Sequence, residues 1–196
     1  GNTATVLEEV CRSVNAKAVY CSRQYQPWAG QLEQSLRDSL SQHDVELKRY
    51  PGTLLHEPEA VATGAGTPFK VFTPFWRACL RRPDPQMPLA TPTLSPCPTP
   101  VQSETLKSWN LLPTQPNWAH GWEDLWCPGE DGAHAALEQF LAHHVIDYGD
   151  GRDIPSARST SRLSPYLRFG NLSPRQVWHA AQASKVFEPE ASSATD

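Results

Sequence analysis

Nine prolines fall between Pro83 and Pro116, and from Pro83 to Ser103 the one charged side chain is Asp84. Proline has no amide proton and its ring locks φ, so a run this dense excludes helix interiors and central strands. Lacking apolar periodicity and a charged face alike, the stretch has nothing to bury and reads as a connector. A chain of 196 residues interrupted in this way is not one continuous core. It divides into residues 1–82, a proline-rich interdomain linker at 83–116, and residues 117–196, and each flank is read by its own periodicity.

In the first flank Val6, Leu7, Val10 and Val14 recur at helical spacing, and AKAVYC (Ala16 to Cys21) then has the small, β-favouring composition of a buried strand. Leu32, Leu36 and Leu40 mark a second amphipathic helix. VELKRY (Val45 to Tyr50) follows as an alternating strand that Pro51 and Gly52 close. Helix and strand in alternation predict a parallel, doubly wound, Rossmann-like sheet. Such a unit opens with a strand, whereas a helix lies a few residues from Gly1, so the sheet is expected to be partial. TGAGTPF (Thr63 to Phe69) lacks the third glycine and the strand-to-helix setting of a dinucleotide fingerprint, and is expected to be a mobile loop. In FKVFTPFWRACL, Thr73 is placed to cap a helix with Pro74 at its first position.

From Glu130 the helical period returns and persists, so the fold class is α/β followed by all-α. Ala133, Ala136, Leu137, Phe140, Leu141, Val145 and Tyr148 share one helical face, with Glu130 and Asp131 on the first turn matching the helix dipole. Ser164-Pro165 and Ser173-Pro174 each offer a hydroxyl cap followed by proline, and Gly170 can end the intervening helix in the left-handed conformation.

Charge changes sign along the chain: residues 1–82 sum to +2, 83–151 to −8 and 152–196 to +2. Between Arg152 and Arg175 five arginines (152, 158, 162, 168, 175) face the single acid Asp153, a density suited to phosphate or to a solvated helix face. The five cysteines are an odd number and form no Cys-x-x-Cys pair, which argues for a reduced, cytoplasmic protein and against structural zinc. No apolar stretch approaches membrane-spanning length, and the first residues given lack the basic, apolar, small-residue pattern of a signal peptide. His143 and His144 are adjacent and project about 100° apart on a helix, so they cannot share a metal. Neither a Ser-His-Asp set nor a carboxylate pair is present, and no catalytic or metal-ligating residue is assigned. Trp118, Trp122 and Trp126 stand at i, i+4 and i+8, a stripe read as packing rather than as an electron wire.

The sharpest local feature is Thr160-Ser161-Arg162-Leu163-Ser164 at a helix start, where three hydroxyls, a guanidinium and helix N-terminal amides converge in a pattern that stabilises an anion. The same string alone is also an ordinary capped turn. Taken with Tyr148, Arg152 and SPYLRFGNLSPRQVW, it resembles the flavin-binding segment of the photolyase and cryptochrome family, in its class I, bacterial-type branch. TPFKVFTPFWRACL resembles the end of that family's antenna-bearing α/β domain, and PGEDGAHAALEQFL the entry to its helical flavin domain.

The resemblance implies a noncovalent FAD whose first contacts are Tyr148, Thr160, Ser161, Arg162, Leu163 and Ser164, with Arg162 turned inward to the phosphates. It implies that Arg152 faces outward onto the DNA backbone. The implied activity is that of a deoxyribodipyrimidine photolyase, the light-driven transfer of an electron from reduced flavin to a cyclobutane pyrimidine dimer flipped out of UV-damaged DNA. The alternative is a cryptochrome photoreceptor with the same flavin site and no repair. A monomer is implied, as is an antenna chromophore, folate or deazaflavin, left undecided because Cys21-Ser22 stand where the family often has tryptophan and asparagine. The opening strand and the helices enclosing the flavin ring find no counterpart in this sequence. The chain is therefore expected to be a piece cut short at both ends, unable by itself to hold flavin stably or to repair DNA.

Overall fold

The structure, a computed structural model, describes residues 2–184. The tail of the 117–196 helical assignment lies outside the described residues. Contacts divide the described chain into two units, residues 2–52 with 90–120, and residues 53–89 with 121–184. The sequence boundaries rest on composition and these units on packing, and the two divisions differ over residues 53–120.

In the first unit, Asn2 caps α1 (Thr3–Ser13) by accepting the Ala4 amide at 2.9 Å. There follow β1 (Ala18–Ser22), α2 (Pro27–Ser41), with proline in its first turn, and β2 (Glu46–Tyr50). The strands pair in parallel, Ala18 opposite Glu46 through Ser22 opposite Tyr50, and α2 supplies the crossover that parallel strands require. Cys11, Leu40, Val45 and Leu47 form the buried core, with Leu7, Val19, Cys21 and Leu36 packed against it. Strand alternation thus turns Val19, Cys21 and Leu47 towards the helices, and leaves Tyr20 and Tyr50 exposed and stacked at 6.1 Å on the other face. A doubly wound sheet carries helices on both faces; among the described residues one face is covered.

Glu33 of α2 is the buried acid of this unit. Its carboxylate accepts the Arg49 guanidinium at 2.6 Å and the Gln24 amide at 3.4 Å, fastening the turn after β1 to the end of β2. Burial, and then the Glu33 charge, push the neighbouring Cys21 thiol up, while Arg49 and Arg37 act the other way. From residue 83 to 105 no helix or strand forms, as the prolines dictate, before a 3-10 turn at Leu106–Trp109.

The second unit is helical: α3 (Phe72–Leu80), α4 (Glu130–His143), α5 (Tyr148–Gly151), α6 (Ser164–Phe169) and α7 (Pro174–Ala183). Thr73 does not cap α3. The extended residue there is Val71, whose carbonyl accepts the Phe75 amide at 3.4 Å, so Thr73 falls inside the first turn. TGAGTPF is a loop, drawn closed by the Thr63 amide on the Thr67 carbonyl at 2.9 Å. The expected face from Ala133 to Tyr148 is not one helix: after His143 the Val145 amide turns back to the Phe140 carbonyl at 3.0 Å, and Tyr148 opens α5.

Ser164 lies within α6, whose cap position is Leu163, so its hydroxyl is not the cap that the sequence suggests. Ser173 caps α7 as expected, in a reciprocal capping box with Gln176, and Gly170 ends α6 at φ 74°. The core joins Ala133 and Leu137 of α4 to Leu163, Tyr166 and Leu172, with Trp126, Leu141 and Val177 at its margin. His179 of α7 reaches the Pro85 carbonyl at 2.9 Å, which holds the start of the proline run against this unit.

Leu40 is fully buried, so Leu40→Ala should destabilise the α/β unit by about 2–5 kcal/mol, read from the denaturation midpoint of the complete protein. A second expectation concerns His56, half-buried in the loop before the 3-10 turn at Pro58–Ala60. Burial, and then the Arg82 charge, hold its imidazole below the usual range, while Arg82 itself donates to the Ala60 carbonyl. A depressed histidine binds its proton more readily in the unfolded chain. Its contribution is therefore complete above the unfolded value of about 6.5 and is lost as pH falls towards the lower folded value. The drop in melting temperature between pH 7.5 and 5.5 should accordingly be smaller in His56→Gln than in the parent.

Candidate functional site

The residues singled out in sequence occupy α5, the loop after it and the first turn of α6. Two successive turns, Ile154 amide to Gly151 carbonyl at 3.1 Å and Ala157 amide to Ile154 carbonyl at 3.0 Å, reverse the chain behind α5. The returning arm of the loop passes so close that a Cβ on Gly151 would overlap the Ser159 hydroxyl. Gly151 and Ser159 are both buried at this crossing. It brings Thr160 to the end of α5 and so joins the two halves of the predicted site.

Within TSRLS the side chains part in opposite directions. Leu163 is buried in the helical core, so its contribution to any ligand is confined to its backbone. Thr160, Arg162 and Ser164 are exposed and Ser161 is half-buried, its hydroxyl accepting the Leu163 amide at 3.4 Å. Arg162 adopts φ 54°, a left-handed conformation that costs a residue with a side chain roughly 1–2 kcal/mol. That backbone choice lets Leu163 enter the core while the residues before it stay at the surface.

Tyr148 packs edge-on against Phe140 at 6.0 Å and is 39% exposed. Arg152 stands over the Tyr148 ring at 5.9 Å and 3.7 Å from the Asp153 carboxylate, with its side chain 54% exposed. It faces solvent. The inward turn expected of Arg162 is not what the geometry shows: its guanidinium lies over the indole of Trp126 at 4.6 Å, on the surface. Between Asp153 and Glu188 the sequence has no acidic side chain, so the stretch that carries the Thr160, Ser161 and Ser164 hydroxyls and the Arg162 guanidinium holds no carboxylate of its own. Such a set suits a phosphate or pyrophosphate.

Sequence spacing missed Gly151, Ser159 and Trp126. The three tryptophans are not a helical stripe, since the one helical turn among them is Trp122–Asp124. Of the three, Trp126 packs on the core, edge-on to Tyr166 at 6.3 Å. Its meeting with Arg162 is tertiary, and no local pattern carries it. Among the described residues no cluster of three His, Cys, Asp or Glu side chains could hold a metal ion, and no helix is long and apolar enough to cross a membrane.

A parallel α/β unit, a proline-rich connector and a hydroxyl- and arginine-bearing loop at a helix start fit the photolyase and cryptochrome class, and by its similarities the chain belongs to that family. Residues 1–96 match the family model described as DNA photolyase. Over 183 residues the chain is 37% identical to a deoxyribodipyrimidine photo-lyase of Agrobacterium fabrum, covering 93% of this chain and 38% of that protein. A crystal structure described as a bacterial class III photolyase from Agrobacterium tumefaciens superposes with a TM-score of 0.80 at 36% identity, over 92% of this chain and 38% of the other. Cryptochrome-1 of Arabidopsis thaliana is 28% identical, over 92% of this chain and 27% of its own length. The chain thus spans about two fifths of the length of the photolyases it matches.

The Gly151–Ser159 crossing supplies a direct test. Gly151→Ala should force the loop away from α5, displace Thr160 and Ser161, and lower flavin retention by the complete protein, read as the flavin-to-protein absorbance ratio after gel filtration. Retention at the parent level would show that the crossing does not set the site.

Proposed function

We propose that this chain is part of a deoxyribodipyrimidine photolyase, an FAD-dependent enzyme that repairs cyclobutane pyrimidine dimers in UV-damaged DNA with light. The observation that carries the proposal is the junction at Gly151 and Ser159. It brings the segment that carries Thr160, Ser161, Arg162 and Ser164 back to the end of α5, after which Arg152 faces outward. In this reading Tyr148, Thr160, Ser161, Arg162, the Leu163 backbone and Ser164 hold the FAD on its phosphate side. Bound there, the flavin supplies the light-driven electron chemistry. The chain's own work is to neutralise the pyrophosphate, fix its position and present Arg152 to a DNA phosphate. Residues 1–82 are then the antenna-type α/β domain, 83–116 the linker and 117–196 the start of the helical FAD domain, in a cytoplasmic protein that is monomeric when complete.

Repair is favoured over photoreception because the photolyase relative is the more similar, at 37% against 28% for the cryptochrome. The class III description of the solved relative favours that branch over class I. Whether folate or deazaflavin serves as antenna is a matter for chromophore extraction from the complete protein.

Phosphate contacts contribute affinity through counterion release, so their loss has a recognisable signature. In the complete protein Arg152→Ala should weaken binding to dimer-containing DNA and make the logarithmic salt dependence shallower by about one unit, with flavin content unchanged. Equal loss of flavin would place Arg152 in the cofactor site instead. Absence of dimer repair by the parent protein under blue light would favour the cryptochrome.

A further inference from the structure

Trp126 is a large aromatic side chain in direct contact with the candidate site, through Arg162, and has no role in the function proposed so far. Its indole lies beneath the Arg162 guanidinium at 4.6 Å, within cation–π range. Three features hold the indole in place. Tyr166, which is 6% exposed in the core, meets it edge-on at 6.3 Å. The Tyr166 hydroxyl donates to the carbonyl of the next residue, Cys127, at 3.0 Å. On the other side Gly132, in the first turn of α4, approaches that same carbonyl so closely that a Cβ would overlap it. The Cys127-Pro128 peptide, directly after Trp126, is therefore pinned between α4 and α6 before any ligand is considered.

Arg162 has no comparable anchor of its own. It is an exposed, long side chain on a left-handed residue, and a free guanidinium in that position samples many rotamers. We propose that Trp126 is a positioning residue for the cofactor: its fixed indole restricts the Arg162 guanidinium by cation–π contact, so that the charge is already gathered at the hydroxyl cluster when the pyrophosphate arrives. The inference rests on the phosphate-side reading of Thr160 to Ser164. It adds that phosphate affinity is set in part by a residue that touches no ligand.

A flat aromatic surface is what the role requires, which distinguishes it from simple core filling. Trp126→Phe keeps a weaker π-face, whereas Trp126→Leu keeps apolar volume without one. The test compares FAD with riboflavin, which carries the ring and no phosphate, titrated against the apo form of the complete protein and read by flavin fluorescence. In Trp126→Leu the FAD affinity should fall about fivefold while riboflavin affinity stays at the parent level, and Trp126→Phe should recover part of the loss. Arg162→Ala should then cost less FAD affinity in the Trp126→Leu background than in the parent, so the double variant falls short of the sum of the single effects.

Each failure has its own signature. Equal loss of FAD and riboflavin in Trp126→Leu would mean a structural residue and overturn the proposal, as would additive losses in the double variant. If Arg162→Ala alone left FAD affinity unchanged, the phosphate-side reading itself would fall.

Discussion

The Cys127 carbonyl oxygen is where the helical unit is fastened. It accepts the hydroxyl proton of the buried Tyr166 and is pressed against Gly132, so α6 and the entry to α4 are held at one backbone atom. A hydroxyl buried without an acceptor is costly, and this one reaches across the unit to find a partner. The consequence for the site is geometric. With Tyr166 held, Leu163 and Leu172 enter the same core and the TSRLS turn is anchored at its downstream end. The Gly151–Ser159 crossing anchors it at the upstream end.

Between those anchors the turn is polar and largely exposed, and its conformation is imposed from both sides rather than chosen locally. Arg162 pays for this arrangement with a left-handed backbone, a conformation that local propensity does not favour for arginine. Non-glycine residues held in this way occur where the surrounding packing over-determines them, and they recur at ligand sites. The core that determines this one is modest in size: Ala133, Leu137, Leu163, Tyr166 and Leu172.

The α/β unit shows a different economy. Its single buried acid, Glu33, is matched by Arg49 and by the Gln24 amide, which ties the loop after β1 to the end of β2. In open parallel sheets ligands bind beyond the carboxyl ends of the strands, where this loop lies. The opposite sheet face, with Tyr20 and Tyr50 stacked in solvent, shows how much of a two-stranded sheet stays uncovered when helices pack on one side.

Much of the organisation was legible in the residues themselves. The proline run excludes regular structure by covalent geometry, the leucine spacing of α2 and the alternation of β2 follow from helical and strand periods, and the Ser173 capping box and Gly170 terminator are local hydrogen-bonding and steric effects. Other features depended on residues distant in sequence. Thr73 and Ser164 carry the right side chains to cap, yet the chain enters each helix one or two residues earlier, because the entry angle is set by packing. Local periodicity carried the α4 face on to Tyr148, whereas the tertiary turn at Val145 ended it. Where Arg162 points, and that Trp126 meets it, was decided only when Tyr166 found the Cys127 carbonyl, since a contact between segments far apart in sequence leaves no period for the sequence to display.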